Sequence, residues 1–135
     1  MFKHILVPVV FDSDHDPKKA LDAAERLMAQ GAQVSVLHVK EEIPSYAISY
    51  VPKEDLARLR ESIQAELDRL AGRFPNGRGV LVDGHSANAI LDWAARNRAD
   101  CIVIDSHRPG MADYLLGSTA ARVVRHAQCA VLVLR

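Results

Sequence analysis

The chain alternates between short, continuously apolar runs and longer stretches in which apolar residues recur every three or four positions. Short continuous apolar runs are typical of parallel strands that are buried on both faces of a sheet. The pattern therefore predicts five strands with helical stretches between them. We place these strands at residues 5–10, 34–39, 80–82, 101–104 and 130–134.

The helical stretches have recognisable ends. Asp16–Pro17 supplies an N-cap and a preset first helical residue, Gly31 is expected to end that first helix, and Ser86 is expected to cap a later one. Trp93 falls off its helix's apolar stripe, which predicts that it covers a helix flank or meets a neighbouring chain. The four predicted stripes are Ala20, Leu21, Ala24, Leu27 and Met28; Leu56, Leu59, Ile63, Leu67, Leu70 and Phe74; Ala87, Ile90, Leu91, Ala94 and Ala95; and Ala120, Val123, Val124 and Ala127.

Regular alternation of strand and helix with short connections predicts the fold class. It indicates α/β: one domain over residues 1–135, built as a doubly wound five-stranded parallel sheet with helices on both faces. In such sheets, ligands bind beyond the carboxyl ends of the strands, where the strand order reverses. The candidate loops are therefore those after the first strand (8–12), the second (from Val39) and the fourth (from Asp105).

Charge and cysteine content narrow the class of partner. The 135 residues hold 17 basic and 17 acidic side chains, so the zero net charge argues against attraction to nucleic acid or an anionic membrane. The chain shows no apolar run of bilayer length and no signal-peptide layout, and we expect a cytoplasmic protein. Cys101 and Cys129 lie in or beside apolar runs and are predicted to be buried, inert thiols. No histidine spacing suits a metal site.

One stretch, from Cys101 to Thr119, carries the strongest chemical signal. It reads as a buried strand, a polar loop, and then Gly117, Ser118 and Thr119 at the start of a helix. The first amides of a helix lack internal partners and the helix dipole favours negative charge there, so this arrangement indicates an anion site. Gly117 would allow close backbone approach, and the two hydroxyl groups would donate hydrogen bonds. Alternatively, Gly117 simply ends a loop and Ser118 caps a helix.

Taken together, the segments of the chain resemble the universal stress protein family over essentially the whole length. SHRP followed by YLLGS and VVRHA is most similar to the F-type branch of that family. The matching segments are ILVPV at 5–9, LHV at 37–39, DG at 83–84, DCIVIDSHRP at 100–109, LLGSTAARVVRHAQC at 115–129 and VLVL at 131–134.

The resemblance implies both an architecture and a ligand. It implies an adenine nucleotide alpha-hydrolase-like sheet, a role in stress response, and a homodimer made through the last strand (Ala130 to Leu134). Whether two such dimers form a tetramer stays undecided. It also implies a site for ATP or AMP, possibly with Mg²⁺. Protein partners beyond a second copy are not specified by it.

The nucleotide-binding members of the family share the loop pattern Gly-x2-Gly-x9-Gly-[Ser/Thr]. Its end matches Gly117 and Ser118, but its first glycine falls on Asp105 and its second on Arg108, with a loop one residue shorter. Val10 replaces a common aspartate, although Asp12 lies close in sequence. The resemblance implies these site residues: Pro8 and Val9 on the adenine side, Val39 near the ribose, and Val10, Ile104, Asp105, Ser106, His107, Arg108, Gly117, Ser118, Thr119 and Ala120.

The departures from the pattern leave two functions open. Two like charges about 4 Å apart repel by roughly 4 kcal/mol at an effective dielectric near 20, so Asp105 opposes a phosphate unless Mg²⁺ bridges them or Arg108 compensates. The chain is therefore predicted to bind an adenine nucleotide or, alternatively, to be a dimeric scaffold that has lost the nucleotide. Tyr46, Tyr50 and Trp93 would be the contact residues of such a scaffold.

Sequence motifs for dedicated catalysis are missing. There is no Gly-x-Ser-x-Gly elbow, no Walker A lysine motif and no Gly-x-Gly-x-x-Gly turn. His107, the one histidine of the candidate loop, would donate to a phosphate, act in slow hydrolysis, or simply pair with Asp105. His38 is expected to be a hydrogen-bonded histidine of the core or its rim. At most slow ATP hydrolysis is predicted, with a phosphohydrolase as a third alternative.

Overall fold

The computed structural model contains one five-stranded sheet in which every strand is parallel to its neighbours. This confirms the predicted fold class. The structure describes residues 1–12, 15–41, 43–106 and 116–135, and only the backbone of Ile48. The strands are β1 (Phe2–Pro8), β2 (Met28–Lys40), β3 (Gly77–Asp83), β4 (Cys101–Asp105) and β5 (Ala130–Leu134).

Helices cover both faces of the sheet, as predicted. One buried cluster joins the first and third helices to one face, and a second cluster joins the fourth and fifth helices to the other. Among the described residues, no helix combines the length and the apolar character needed to span a membrane. The helices are α1 (Lys18–Leu27), α2 (Ser45–Ile48), α3 (Lys53–Ala71), α4 (Ser86–Arg96) and α5 (Ser118–His126).

The continuous apolar run of β1 reflects burial on both faces. Ile5 and Val7 pack in the cluster with α1 and α3, whereas Leu6 packs in the cluster with α4 and α5. All three side chains are fully buried. Because successive strand side chains point to opposite faces, a strand covered on both sides needs an apolar residue at every position.

The strand order, β3-β2-β1-β4-β5, reverses direction at β1. β1 pairs with β2 on one side, where Val7 lies opposite Val36, and with β4 on the other, where Ile5 lies opposite Cys101. The helix after β1 lies on one face, and the helix after β4 lies on the other. The chain therefore leaves these neighbouring strands in opposite directions, which opens a crevice at their carboxyl ends.

Several predicted boundaries and stripe positions were wrong. α1 ends at Leu27 because Met28 turns extended and pairs with Phe2, so Gly31 lies inside β2, where it adopts a φ of +76°. Leu59 and Val124 were placed on buried stripes but are 48% and 45% exposed. In both helices the sheet covers a narrower strip than the apolar spacing suggests.

Two further expectations concern α4. Ser86 is the first residue of this helix rather than its cap, and no side chain makes an N-terminal capping bond there. Trp93 covers a helix flank, which was one of the two roles predicted for it. Its ring contacts the His4 ring edge-on, with 5.6 Å between the centroids, and the Arg78 guanidinium lies 5.9 Å from the centroid of the Trp93 ring.

The two cysteines lie on opposite sides of the sheet. Cys101 belongs to the cluster with α1 and α3, and Cys129 packs against the cluster with α4 and α5. Burial raises the pKa of the Cys101 thiol to about 11 and also raises the pKa of Cys129. Both cysteines are free. Cys101 is buried as predicted, whereas Cys129 is only half-buried. The raised pKa values disfavour the thiolate that nucleophilic chemistry needs.

Hydrogen bonds from Asp100 join two strands at the amino end of the sheet. Its carboxylate accepts hydrogen bonds from the Lys3 amide at 2.8 Å and the His4 amide at 3.0 Å, and its own amide donates to the His4 carbonyl at 2.9 Å. Partial burial raises the pKa of the Asp100 carboxyl, but the Lys3 and His4 amides outweigh it and hold the pKa below its ordinary value. These bonds join the start of β1 to the start of β4.

We expect Asp100→Asn to lower the free energy of unfolding at pH 7 by about 1–2 kcal/mol, because an amide satisfies the two backbone donors less well than a carboxylate. The wild-type contribution is complete above the ordinary pKa of 3.8 and is lost as the pH falls through the lower pKa of the folded state. Urea unfolding of both proteins between pH 7 and pH 3 should show the difference shrinking in acid. A difference that does not change with pH would contradict the assignment.

The packing of α3 on β3 depends on Gly79. A Cβ atom there would lie 2.7 Å from a carboxylate oxygen of Asp68 and 2.8 Å from the main-chain carbon of Leu67. We therefore expect Gly79→Ala to destabilise the fold by about 1–3 kcal/mol through overpacking. Gly72→Ala is the matched control, because its Cβ would meet nothing closer than 3.4 Å. Equal unfolding midpoints for the two variants would show that α3 does not pack this closely against β3 at Gly79.

Candidate functional site

A cavity of about 580 Å³ opens at the carboxyl edge of the sheet, between the ends of β1 and β4. Its walls come from the segment after β1, the end of β2, the end of β4, and the first turns of α1, α4 and α5. The crevice created by the reversal of strand order is therefore a real cavity. The three loops that the sequence singled out all contribute to it.

Most of the site residues implied by the family resemblance meet in this cavity. Ser118 does not line it: this residue is exposed at the first position of α5. His107 and Arg108, two further members of the implied site, lie outside the described residues. The residues that do line the cavity are Pro8, Val9, Val10, Val39, Ile104, Asp105, Ser106, Gly117, Thr119 and Ala120.

One wall of the cavity is apolar. It is formed where β1 and β2 end, and the pairing of these strands continues past Pro8 through a 2.8 Å hydrogen bond from the Val9 amide to the Leu37 carbonyl. Leu37, Val39 and Ile104 extend this wall across the ends of β2 and β4. Apolar walls with a few placed polar groups are typical of small-molecule sites, and this wall suits a flat ring system.

The opposite end of the cavity is formed by the start of α5. The first intrahelical bond runs from the Ala121 amide to the Gly117 carbonyl at 2.9 Å, so the amides of Ser118, Thr119 and Ala120 precede it and have no intrahelical acceptor. The N-cap residue of this helix, Gly117, makes no side-chain capping bond. These amides and the helix dipole favour a negative group at this end of the cavity.

Gly117 is buried and lines the cavity directly before α5. Its φ of −61° and ψ of 155° are ordinary extended values that any residue adopts. The glycine is therefore not required by the backbone conformation. What it provides is a wall without a side chain, so that a ligand can approach the main chain of the helix start.

The hydroxyl and the amide of Ser106 make hydrogen bonds within the fold. It is 6% exposed, and both its hydroxyl, at 3.0 Å, and its amide, at 2.8 Å, donate to the carbonyl of Leu134. These bonds hold the chain at the end of β4 against the end of β5. The hydroxyl that the family resemblance implied as a ligand contact thus donates to the fold, whereas Thr119 lines the cavity and is half-buried.

The charged side chains that line the cavity are mainly carboxylates. Aspartates 12, 16 and 105 and Glu41 line it, and the part of the chain that the structure describes contributes no lysine or arginine to its walls. The Asp16 carboxylate also accepts the Lys18 amide at 3.0 Å, which fixes it at the start of α1. Nor do the described residues contain any group of three or more side chains placed to hold a metal ion.

Two histidines supplement these walls, and sequence reasoning had not assigned either to the site. His15 Nδ1 lies 2.6 Å from a carboxylate oxygen of Asp12. His38 is half-buried, and its Nδ1 hydrogen-bonds the Val9 carbonyl at 2.9 Å; because a carbonyl only accepts, Nδ1 is the protonated nitrogen. The prediction that His38 is a hydrogen-bonded histidine of the core or its rim is confirmed. The position of His38 near the end of β2 was the sequence feature that could have indicated its contact with the cavity.

Other cavity residues carried no sequence signal that pointed to a ligand site. The segment after β1 contributes Pro17 and Ala20 from the start of α1, and α4 contributes Ser86 and Ile90. These residues belong to helices that follow strands, and a helix that starts at the rim of a crevice contributes its first turns to the wall. Their side chains carry no distinctive chemistry that a motif could capture.

Comparison with known proteins agrees with this architecture. The model of the universal stress protein family matches residues 1–135. A universal stress protein encoded in the QAH/OAS sulfhydrylase 3′ region of Thermus aquaticus is 36% identical over 140 residues, with both chains covered completely.

Solved structures show the same likeness. The universal stress protein UspA from Lactobacillus plantarum superposes with a TM-score of 0.70 at 25% identity, over 98% of this chain and 97% of that one. A universal stress protein in complex with cAMP superposes with a TM-score of 0.64, also at 25% identity, over 99% and 97%. The order of the strands, the crevice at their reversal and the match along the whole length lead to one conclusion: the chain belongs to the universal stress protein family.

Proposed function

We propose that this chain is a stress-response protein that binds an adenine nucleotide, AMP or ATP, in the cavity between β1 and β4 and turns it over slowly or not at all. The observation that carries the proposal is the pairing, within one cavity, of an apolar wall with the open start of α5. A base and a phosphate are the two chemical groups that these surfaces suit.

In this proposal the adenine ring lies against Pro8 and Val9, the ribose lies near Val39, and the phosphate meets the amides of residues 118–120. The volume of about 580 Å³ is in the ordinary range for small-molecule sites. The related universal stress protein solved in complex with cAMP supports an adenine ligand on this fold.

Mg²⁺ is part of the proposal for ATP only. Asp105 and the other carboxylates that line the cavity are of the chemical type that Mg²⁺ prefers, but the described residues hold no group of three or more side chains placed to bind a metal ion. Asp105 would hold the ion together with the phosphates. The ion's role would be to neutralise charge between ligand and protein.

The proposal of slow turnover depends on the nucleophile and not on the histidines. A general base needs a hydrogen-bonded nucleophile or water within reach. His38 and His15 are held through Nδ1, by the Val9 carbonyl and by Asp12, and such a bond does not prevent Nε2 from accepting a proton. The Ser106 hydroxyl is committed to Leu134. We therefore favour a binding module over a phosphohydrolase.

We further propose a cytoplasmic homodimer that pairs through β5, with no nucleic-acid or membrane partner. β5 is the last strand in the sheet order, and its first residue, Ala130, is exposed. An edge strand offers unpaired backbone groups to a second copy. The assignment to the F-type branch also belongs to this proposal and is supported by the SHRP, YLLGS and VVRHA segments.

A second candidate function is a partner-binding scaffold without nucleotide. It is favoured by α2 and the residues after it, where Tyr46 is 79% exposed and Tyr50 is 84% exposed. Exposed aromatic side chains are enriched at protein interfaces. Trp93 gives it no support, because this ring is packed between His4 and Arg78 of the same chain.

The direct test is ligand binding by wild type and Gly117→Asp. We expect AMP to raise the melting temperature of the wild type by mass action on the folded state, about 2.7 kcal/mol at 100 times the Kd. Gly117→Asp should lose the shift, because it places a carboxylate at the helix start. Gly72→Asp adds the same charge at an exposed position outside the cavity and should keep it.

The melting temperature of each unliganded variant reports whether it is folded, which separates lost binding from lost structure. An unchanged wild-type melting temperature at millimolar AMP and ATP, with and without Mg²⁺, would overturn the nucleotide proposal. A shift that persists in folded Gly117→Asp would place the ligand elsewhere.

A second test compares two hydroxyl groups. We expect Thr119→Ala to weaken AMP binding by about 0.5–1.5 kcal/mol with little change in stability, since Thr119 faces the cavity. Ser106→Ala should do the reverse: it loses about 1 kcal/mol of stability with the bond to Leu134 and leaves affinity nearly unchanged. Calorimetric titration and urea unfolding of both variants measure the two effects. The opposite pattern would contradict the assigned roles.

A further inference from the structure

We propose that the cavity discriminates between adenine nucleotides by charge: in the absence of a divalent cation it takes AMP in preference to ADP and ATP, and Asp105 is the main determinant. This inference rests on the proposed function, because it presupposes that the nucleotide occupies this cavity. It adds the class of nucleotide and the residue that selects it.

The walls of the cavity carry an excess of negative charge. Four carboxylates, those of Asp12, Asp16, Glu41 and Asp105, face two histidines across the described lining, and one of these histidines already pairs with Asp12. The sequence of the segment 107–115 contains one arginine and one aspartate, so it adds no formal net charge. The positive potential that the described residues offer comes from the starts of α1, α4 and α5, which all line the cavity and are each equivalent to about half a unit charge.

Asp105 is held in place by the sheet. It is the last residue of β4 and lies opposite Leu134 of β5, and the next residue, Ser106, is tied to Leu134 by two hydrogen bonds. β4 is paired on its other side with β1. Strand pairing therefore restrains the backbone at Asp105, and this residue lines the same cavity as Gly117 and Thr119.

A longer phosphate chain is penalised by this arrangement. AMP and ATP share the adenine and ribose, so contacts with the apolar wall contribute equally to both affinities. The extra phosphates of ATP add negative charge beyond the few amides at the start of α5, in a cavity whose other polar groups include four carboxylates. Asp12, Asp16 and Glu41 are exposed, so salt screens their repulsion, whereas Asp105 is half-buried and is screened less. The difference between the two ligands should therefore be clearest at low ionic strength.

The experiment is calorimetric titration of the full chain with AMP, ADP and ATP in EDTA at low ionic strength. We expect wild-type affinity to fall in that order, with ATP about tenfold or more weaker than AMP. Asp105→Asn keeps the shape of the side chain and removes its charge, so it should narrow the ATP-to-AMP ratio of Kd at least about threefold. Glu41→Gln should also narrow the ATP-to-AMP ratio of Kd. It replaces Asp105→Asn as the test variant if Asp105→Asn does not fold.

Asp92→Asn is the matched control. It removes one carboxylate that is 60% exposed on α4, outside the cavity, and its ratio should equal that of the wild type. ATP binding as tight as AMP in EDTA, or an ATP-to-AMP ratio of Kd that folded Asp105→Asn leaves unchanged, would overturn the inference while the proposed function stands. Where Asp105→Asn does not fold, an unchanged ratio in Glu41→Gln would overturn it. Failure of all three nucleotides to bind would overturn the proposed function and this inference with it.

Discussion

The pairing of β1 with β2 on one side and β4 on the other is the constraint on which the rest of the structure depends. It requires β1 to be apolar at successive positions, because both faces of the strand are covered by helices. It also sends the chain in opposite directions after β1 and β4, which leaves their carboxyl ends open. The cavity is a consequence of that divergence, and Val9, Asp105 and Gly117 are brought together by it.

The site is built more from backbone than from reactive side chains. Its surfaces are the amides at the start of α5 and the apolar ends of the strands, while the Ser106 hydroxyl donates to Leu134 of the neighbouring strand. In the proposed function, these surfaces hold a nucleotide and the carboxylates affect which nucleotide is held.

Local patterns were sufficient for the sheet and insufficient for the details of the cavity. The apolar runs predicted every strand and the covered faces, and the Gly117 segment marked the start of α5. The end of α1 was misplaced because Met28 pairs with Phe2, a contact that the local sequence does not encode. The commitment of Ser106 to Leu134 likewise depends on the neighbouring strand β5. Positions 107 and 108 lie outside the described residues, so their predicted roles stay predictions.

The account's central claim is that a nucleotide lies between the strand ends and the open amides of α5. Amide chemical-shift mapping by NMR, with ¹⁵N-labelled protein titrated with AMP, tests it most directly. The account predicts that the largest shifts fall on the amides of Val9, Val39, Thr119 and Ala120. Saturable shifts confined to α3 or to residues 43–51, with the amides at the start of α5 unchanged, would contradict it.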